Sequence, residues 1–225
     1  MDEKQGRVAG ATGPLVLRRR GGALEILAGK VVLLSSAALE TELAFGRLAT
    51  SLGGAGALRV LVGGLGFGAT VDGVLEGASP ETRVVVAEKV AQVVALVRAG
   101  DCKVRSGRPL EDPRVSVVEE DVLAVMTRST ACWDCILLDV DNGPHWASFR
   151  SNARLYSPGG LAAARRALTA GGFLAVWSGY PADAFLPRLR AAGLAPSRVL
   201  LQERGRVRAR AYVGTRGPEG AADRP

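Results

Sequence analysis

Three observations predict an α/β fold built on a doubly wound, mainly parallel sheet. Apolar runs of strand length alternate with amphipathic segments from Leu58 onward. One run leads through the glycine turn Gly63-Gly64-Leu65-Gly66-Phe67-Gly68 into a helix. Twenty residues after Gly68 a second run, Val84-Val85-Val86-Ala87, ends on an acid, Glu88. That order suits a nucleoside: the glycines let backbone N–H groups approach it, and a carboxylate accepts hydrogen bonds from the ribose hydroxyls.

Ahead of this pattern, residues 15–20, 23–27 and 31–35 read as three short strands, with Gly21-Gly22 and Gly29 as turn signals. Residues 37–52 read as a helix whose Leu39, Leu43 and Leu48 face inward. Gly53-Gly54-Ala55-Gly56 closes it and marks a boundary. The expected organisation is a small N-terminal unit over residues 1–52 and a nucleoside-binding catalytic unit over 53–215. The first ten residues and the polar tail over 216–225 are expected to be disordered.

Within the larger unit the alternation is regular. Residues 58–62, 83–87 and 114–118 read as strands, and 70–75 and 122–127 lie in helices. Residues 89–99 carry the stripe Val90, Val93, Val94 and Val97 of an amphipathic helix. Residues 134–138 are continuously apolar after Asp134, as suits a strand covered on both faces. Ser157-Pro158 is an N-cap followed by proline at the first helical position, and Gly171-Gly172 is read as that helix's stop. Residues 173–177 form the next strand and 182–192 a helix; 197–202 and 208–214 form a pair joined around Gly205. In such a sheet the ligand lies beyond the carboxyl ends of the strands, where strand order reverses. Function is therefore expected at residues 64–68, at Glu88, at Glu119-Glu120-Asp121, in the 139–146 loop and at Ser178-Gly179-Tyr180.

The 225 residues suffice for one large domain with an appendage, and 48% hydrophobic with 23% charged residues is ordinary for a soluble globular chain. Met1-Asp2-Glu3-Lys4-Gln5 does not open a signal peptide, and no charge-free apolar stretch spans a bilayer, so a cytoplasmic protein is expected. The formal charge of +7 raises nucleic acid as a partner. Only Lys4, Lys30, Lys89 and Lys103 among the 29 basic residues are not arginine, and the arginines are spread along the chain. This skew reads as composition bias, and nucleic acid is not the expected partner. Three cysteines are too few for a disulfide framework. Cys132-Trp133-Asp134-Cys135 leads into a strand rather than opening a helix, so neither a redox pair nor a zinc site completed by His145 is expected.

Gly64-Leu65-Gly66-Phe67-Gly68-Ala69-Thr70, Val86-Ala87-Glu88, and Asp112-Pro113-Arg114-Val115 with Glu120-Asp121 follow one another along the chain. Trp133-Asp134-Cys135-Ile136-Leu137-Leu138-Asp139, Leu155-Tyr156-Ser157 and residues 168–172 come next. In this order residues 15–214 resemble the spermidine synthases, the polyamine aminopropyltransferases, within the S-adenosylmethionine-dependent methyltransferases. The resemblance implies a Rossmann-like class I methyltransferase fold. That fold has a mainly parallel seven-stranded sheet with an antiparallel last strand, plus a small N-terminal β-domain. It implies that Gly64, Gly66, Gly68 and Glu88 hold S-adenosylmethionine or its decarboxylated form. Asp121 then meets the adenine amino group, or Glu120 if the register slips by one. It also implies a small amine acceptor and a homodimer through the N-terminal strands, while the residues themselves lead us to expect no metal and no membrane. Three places depart from the family pattern. Phe67 stands for the aspartate that meets the donor's free amine, Asn142 stands for a second catalytic-loop aspartate, and residues 35–42 lack the usual glutamine and tyrosine.

Aminopropyl transfer is an in-line attack by a neutral amine on a methylene beside a sulfonium, and a carboxylate at the attack point takes the amine proton. Asp139 is the leading candidate, with capping of the following turn as its structural alternative. Asp141 can do the same work or cap Gly143, and His145, the sole histidine, is a further candidate base. Asn142, Trp146 and Tyr156 are candidate substrate contacts; the aromatic faces can attract a cation, whereas Trp177 suits the core. Glu88→Ala is expected to cripple nucleoside binding with the fold intact. Aminopropyl transfer competes with methyl transfer from S-adenosylmethionine, which the absence of an acid at Phe67 favours. It competes also with a non-catalytic nucleoside-binding role.

Overall fold

The computed structural model describes residues 4–5, 15–21, 23–28, 31–36, 39–100, 108–140, 143–144 and 150–218. At the N-terminus β1 (Lys4–Gln5), β2 (Leu15–Arg20), β3 (Ala23–Ala28) and β4 (Val31–Ser35) pair antiparallel in chain order. The two-residue β1 is an addition to the three strands expected. Period-two alternation buries Leu24 and Ile26 on one face of β3 and leaves Glu25 on the other, paired with Arg18 across the strands at 2.5 Å. The helix expected over 37–52 is two consecutive pieces, α1 (Glu40–Gly46) and α2 (Leu48–Gly53). Arg47 separates them but keeps helical angles, φ −61° and ψ −16°.

The large sheet contains β5 (Arg59–Gly63), β6 (Arg83–Ala87), β7 (Val115–Val118), β8 (Trp133–Leu138), β9 (Leu168–Ser178), β10 (Leu194–Glu203) and β11 (Arg206–Arg216). Their spatial order is β7-β6-β5-β8-β9-β11-β10. The pairs β5–β6, β6–β7, β5–β8 and β8–β9 are parallel, and β11 runs antiparallel to both of its neighbours. The fold is thus the doubly wound one expected, with the last strand reversed. The chain starts at β5, winds outward to β7, and returns to the other side of β5 as β8. The switch point therefore lies between the carboxyl ends of β5 and β8.

Helices α3 (Ala69–Leu75), α4 (Ala91–Arg98), α5 (Val122–Arg128), α6 (Pro158–Ala167) and α7 (Phe185–Ala191) cover the sheet. Val60, Val62, Cys135 and Leu137 face one apolar layer, with Phe45 of α1, Val71 and Val74 of α3, Val93, Val94 and Val97 of α4, and Leu24 and Ile26 of β3. Leu61, Ile136 and Leu138 face the other, with Val125 and Met126 of α5, Leu161 of α6, and Phe185 and Leu189 of α7. Burial on both faces is why β5 and β8 read as unbroken apolar runs rather than alternating ones.

Two of the boundaries that differ from the sequence reading have a visible cause. Ser157 caps α6 by accepting from the Gly160 N–H at 3.2 Å, as expected, but α6 ends at Ala167 and residues 168–172 already belong to β9. The pairing of β9 with β8 shifts register between Trp133 and Cys135, and Gly171 has φ +78° beside it. Gly171-Gly172 therefore marks an irregularity inside a strand, not the stop of a helix. The second concerns the tail: Arg216 ends β11 and donates from Nη1 to the Leu168 carbonyl, so only residues 219–225 of that tail lie outside the described ones. No helix among the described residues is long and apolar enough to cross a membrane.

Candidate active site

β5 ends at Gly63, and Gly64 turns back with φ +88°. A Cβ at Gly64 would stand 2.3 Å from the Asp139 carbonyl oxygen, so the glycine is what lets the β5 and β8 ends meet. The turn is tied by the Gly64 N–H to the Ala87 carbonyl at 2.9 Å and by the Gly68 N–H to the Leu65 carbonyl at 2.8 Å. Gly66 (φ +52°) and Gly68 (φ +87°) complete it, and Gly68 is the N-cap of α3. Phe67 turns inward into the apolar layer, 2% exposed, so its ring does not meet a ligand at this turn.

Glu88 follows β6 beside this turn and is buried. Its Oε2 accepts from the Leu65 N–H at 3.0 Å and its Oε1 from the Val90 N–H at 2.8 Å. Burial raises its pKa, and the two backbone N–H groups act against that rise. A carboxylate offers about four lone-pair positions, so each oxygen keeps capacity for one more donor, as a pair of ribose hydroxyls requires. The same bonds change the outcome expected of Glu88→Ala. Removing the carboxyl leaves the Leu65 and Val90 N–H groups unmatched, which costs about 1–3 kcal/mol of stability. Nucleoside affinity should fall at least ~100-fold in calorimetry, since charge-assisted bonds contribute about 1.5–3 kcal/mol each. Unchanged affinity would exclude a ribose-binding role.

Beyond β7, Glu120 turns to the surface and pairs with Arg128 at 2.5 Å, with nearly half of its side chain exposed. Asp121 is more enclosed. It caps α5 by accepting from the Leu123 N–H at 2.9 Å, and Arg154 stands 3.6 Å from its other oxygen.

Asp139 directly follows β8. Its N–H donates to the Gly63 carbonyl at 2.8 Å, and its Oδ2 accepts from the Thr70 hydroxyl at 2.5 Å. Burial pushes its pKa up to about 6 against the opposing effect of the Thr70 bond. At neutral pH it is an ionised carboxylate of raised basicity, suited to accept a proton. Thr70 is buried in the first turn of α3, and its hydroxyl also lies 3.4 Å from the Glu42 carbonyl oxygen of α1. Glu42 of α1 has its pKa raised well above the ordinary range, first by burial and then by the Asp139 charge.

α1 reaches this position because it crosses α3 at glycine contact. A Cβ at Gly46 would stand 2.1 Å from the Thr70 carbonyl oxygen, and one at Gly73 2.1 Å from the Leu43 carbonyl oxygen. Sequence reading missed both Thr70 and Glu42 as site residues. The available signal was a glycine inside each of two neighbouring helices.

Asp141, Asn142, His145 and Trp146 lie outside the described residues. Gly143, between them, has φ +111° and lies against Ser178 at the end of β9. Tyr156 is 2% exposed, with its ring in the core edge-on to Phe185 at 5.9 Å between centroids. Tyr156, expected as a substrate contact, is thus a core side chain with no exposed face to offer a cation. Trp177 packs against the first apolar layer with its Nε1 buried and without a partner among the described residues. Cys135 is buried within β8, where desolvation raises its thiol pKa, and Cys132 bonds the Thr130 carbonyl at 3.1 Å. Among the described residues no group of three or more histidines, cysteines or acids is placed to hold a metal ion.

In sheet order, β8, β5, β6 and β7 therefore present Asp139, the glycine turn, Glu88 and Asp121 along one edge. No protein-family model matches the chain. No curated protein matches it by sequence. Solved structures do. A probable spermidine synthase from Corynebacterium glutamicum superposes with TM-score 0.66 at 17% identity, over 96% of this chain and 80% of that one. Spermidine synthase from Thermotoga maritima gives 0.69 at 14%, over 96% and 72%. A spermidine synthase in complex with the transition-state analogue AdoDATO gives 0.71 at 13%, also over 96% and 72%. The N-methyltransferase NodS from Bradyrhizobium japonicum gives 0.56 at 18%, over 80% of this chain and 96% of that one. The chain has the S-adenosylmethionine-dependent methyltransferase fold with an added N-terminal antiparallel sheet, in the form that spermidine synthases adopt.

Proposed function

We propose that this chain is a spermidine synthase-like transferase that moves an aminopropyl or related group from decarboxylated S-adenosylmethionine to a small amine. The observation that supports this reading most is the enclosed carboxyl of Asp139 at the end of β8, two strands from Glu88 across the glycine turn. An adenosine lying over the turn has its ribose at Glu88 and its adenine toward Asp121, and directs its sulfonium carbon toward Asp139. In the transfer step the amine nitrogen forms a bond to the methylene as the carbon–sulfur bond breaks. The sulfonium leaves as neutral methylthioadenosine. The amine proton passes to Asp139, whose raised basicity suits that role. No metal is invoked at any step. A homodimer through the N-terminal strands agrees with this reading, because pairing there removes an open sheet edge.

Methyl transfer from intact S-adenosylmethionine is the second reading. It is favoured by the likeness to an N-methyltransferase and by Phe67, which leaves no acid at that position to meet a free donor amine. The two readings separate on donor preference and product. Aminopropyl transfer predicts tighter calorimetric binding of the decarboxylated donor and release of methylthioadenosine with a panel of di- and triamines. Tighter binding of the intact donor, with release of S-adenosylhomocysteine, would replace the first reading by the second. Donor binding without turnover on any amine would leave the non-catalytic reading.

A further inference from the structure

Strands β10 and β11 outrun the rest of the sheet. β9 pairs with β11 only as far as Ser178 against Arg210, whereas β10 and β11 stay paired to Glu203 against Arg206. Residues 202–208 thus form a two-stranded arm with no third strand beside it, and all of them except the half-buried Glu203 are exposed. A register shift between Leu201 and Gln202 leaves Arg208 as an extra residue in β11. Register also places the arm. Leu138 pairs with Val176 and Trp177 with Ala211, so Asp139, the residue after Leu138, is level with Ala211. Arg208 is three residues beyond that level, about 10 Å further out, and β11 lies two strand spacings, also about 10 Å, from β8. The arm therefore stands on the same rim of the sheet as Asp139.

Its charge is one-sided. Arg204, Arg206 and Arg208 lie on the arm and Arg210 at its foot, against the single acid Glu203. None of the four arginines forms an ion pair among the described residues. Others are engaged: Arg198 of β10 is held by Asp183 at 2.8 Å, and Arg166, Arg188 and Arg216 donate to main-chain carbonyls. Composition bias accounts for the number of arginines, not for this gathering of unpaired ones. Like charges on one short ribbon repel, a cost that a polyanion would offset. The arm also bears surface of another kind. Val207 is 38% exposed and Leu200, which pairs with Arg210, 48%. Tyr180, 52% exposed, follows β9, and the Ser178 hydroxyl donates to its carbonyl at 2.7 Å, keeping it at the foot of the arm. Guanidinium groups bond phosphate in a forked geometry, and an exposed aromatic ring beside them gives a base a face to stack on. An acidic peptide would answer the charge but not the ring.

We propose that the β10–β11 arm is a nucleic-acid-binding element, in which Arg204, Arg206 and Arg208 meet phosphates of a single strand and Tyr180 stacks on one of its bases. Nucleic acid, not expected from composition, is thereby a partner of this surface. The strand lies beside the rim on which Asp139 stands, and its binding does not depend on the function proposed above.

Fluorescence anisotropy of the full chain with labelled single-stranded RNA and DNA of mixed sequence tests this. Affinity should fall by about 20- to 50-fold between 50 and 200 mM salt, as three or four phosphate contacts require. Combined Arg204→Ala, Arg206→Ala and Arg208→Ala should lower affinity at low salt by about 10-fold or more and flatten the salt dependence. Combined Arg19→Ala, Arg20→Ala and Arg98→Ala removes the same charge from exposed positions elsewhere, and should change affinity by less than about 3-fold. Tyr180→Ala should cost about 5- to 100-fold, and Tyr180→Phe should retain affinity. The RNA and DNA measurements distinguish the two sources of the phosphodiester chain, and a loss confined to the arm variants with either one supports the proposal. No binding of either strand, equal losses in the two triple variants, or unchanged affinity in Tyr180→Ala overturns it. So does displacement by polyglutamate as effective as by unlabelled oligonucleotide, which would make the arm a site for acidic protein. Circular dichroism melts establish that each variant is folded, and the single reversal Arg206→Glu reports the same loss should the triple arm variant fail.

Discussion

Asp139→Asn is expected to make the protein more stable at neutral pH while removing most of its turnover. The direction follows from the pH at which the carboxyl ionises. In an unfolded chain an aspartate has a pKa of about 3.9. In the folded protein, burial pushes Asp139 up to about 6. The native state therefore binds the proton more tightly, and the stability associated with that proton is present below about pH 4 and lost as pH rises through about 6. Asparagine never ionises, and its amide oxygen can still accept from Thr70. The variant should match the wild type below about pH 4 and exceed it by about 1–3 kcal/mol at pH 7. Loss of the proton acceptor should lower kcat by ~10²–10⁴-fold. Urea melts between pH 4 and 8 with parallel turnover assays measure both effects. An asparagine variant less stable than the wild type at pH 7 would show that the carboxylate is held for structure and not for chemistry.

The crossing of α1 over α3 carries the second large effect. Helix propensity alone predicts that Gly73→Ala stabilises α3 by about 1 kcal/mol. Packing predicts the opposite. The new methyl would stand 2.1 Å from the Leu43 carbonyl oxygen and 3.0 Å from the Gly46 Cα, which are backbone atoms that cannot turn aside. The helices must separate, and forced separation in a packed core costs about 1–3 kcal/mol or more. Packing should win, giving a net loss of stability in denaturant melts. Activity should fall with it, because separation draws Thr70 away from Asp139. Gly159→Ala is the control. It lies in α6 with only the Ser157 hydroxyl oxygen near, at 3.9 Å, so there propensity acts unopposed and the melt should move up by as much as about 1 kcal/mol. Equal shifts for the two alanines would refute the crowding account.

What could be read from sequence divides along physical lines. The β5–turn–α3–β6 unit and the apolar β8 were legible because each is local: a run of buried residues, glycines where the chain must turn, an acid at a strand end. Asp121 and Glu120 are neighbours that sequence could not rank. The structure separates them, since one becomes a helix cap and the other is drawn outward by Arg128, an i+8 contact that depends on how α5 lies. Residues 168–172 misled because two glycines after a helix pattern usually mean its end. Here they accommodate an irregular pairing with β8, which only the tertiary partner reveals. Glu42 was the least legible. Its place depends on α1 and α3 meeting at glycine contact, and the two glycines alone do not say that these helices meet.

β8 carries an acid at each extremity. Asp134, at its amino end, accepts from the Arg59 N–H at 2.7 Å and from the Thr169 hydroxyl at 3.0 Å, stitching three adjacent strands together. Asp139, five positions on, stands just past the carboxyl end of the strand, where the Thr70 hydroxyl donates to it. Parallel winding makes this division general to the molecule. Every strand of the large sheet but the reversed β11 begins on the rim where Asp134 lies and finishes on the rim where Asp139 lies. Substitutions at the carboxyl-end rim therefore leave the stitching by Asp134 at the opposite rim in place.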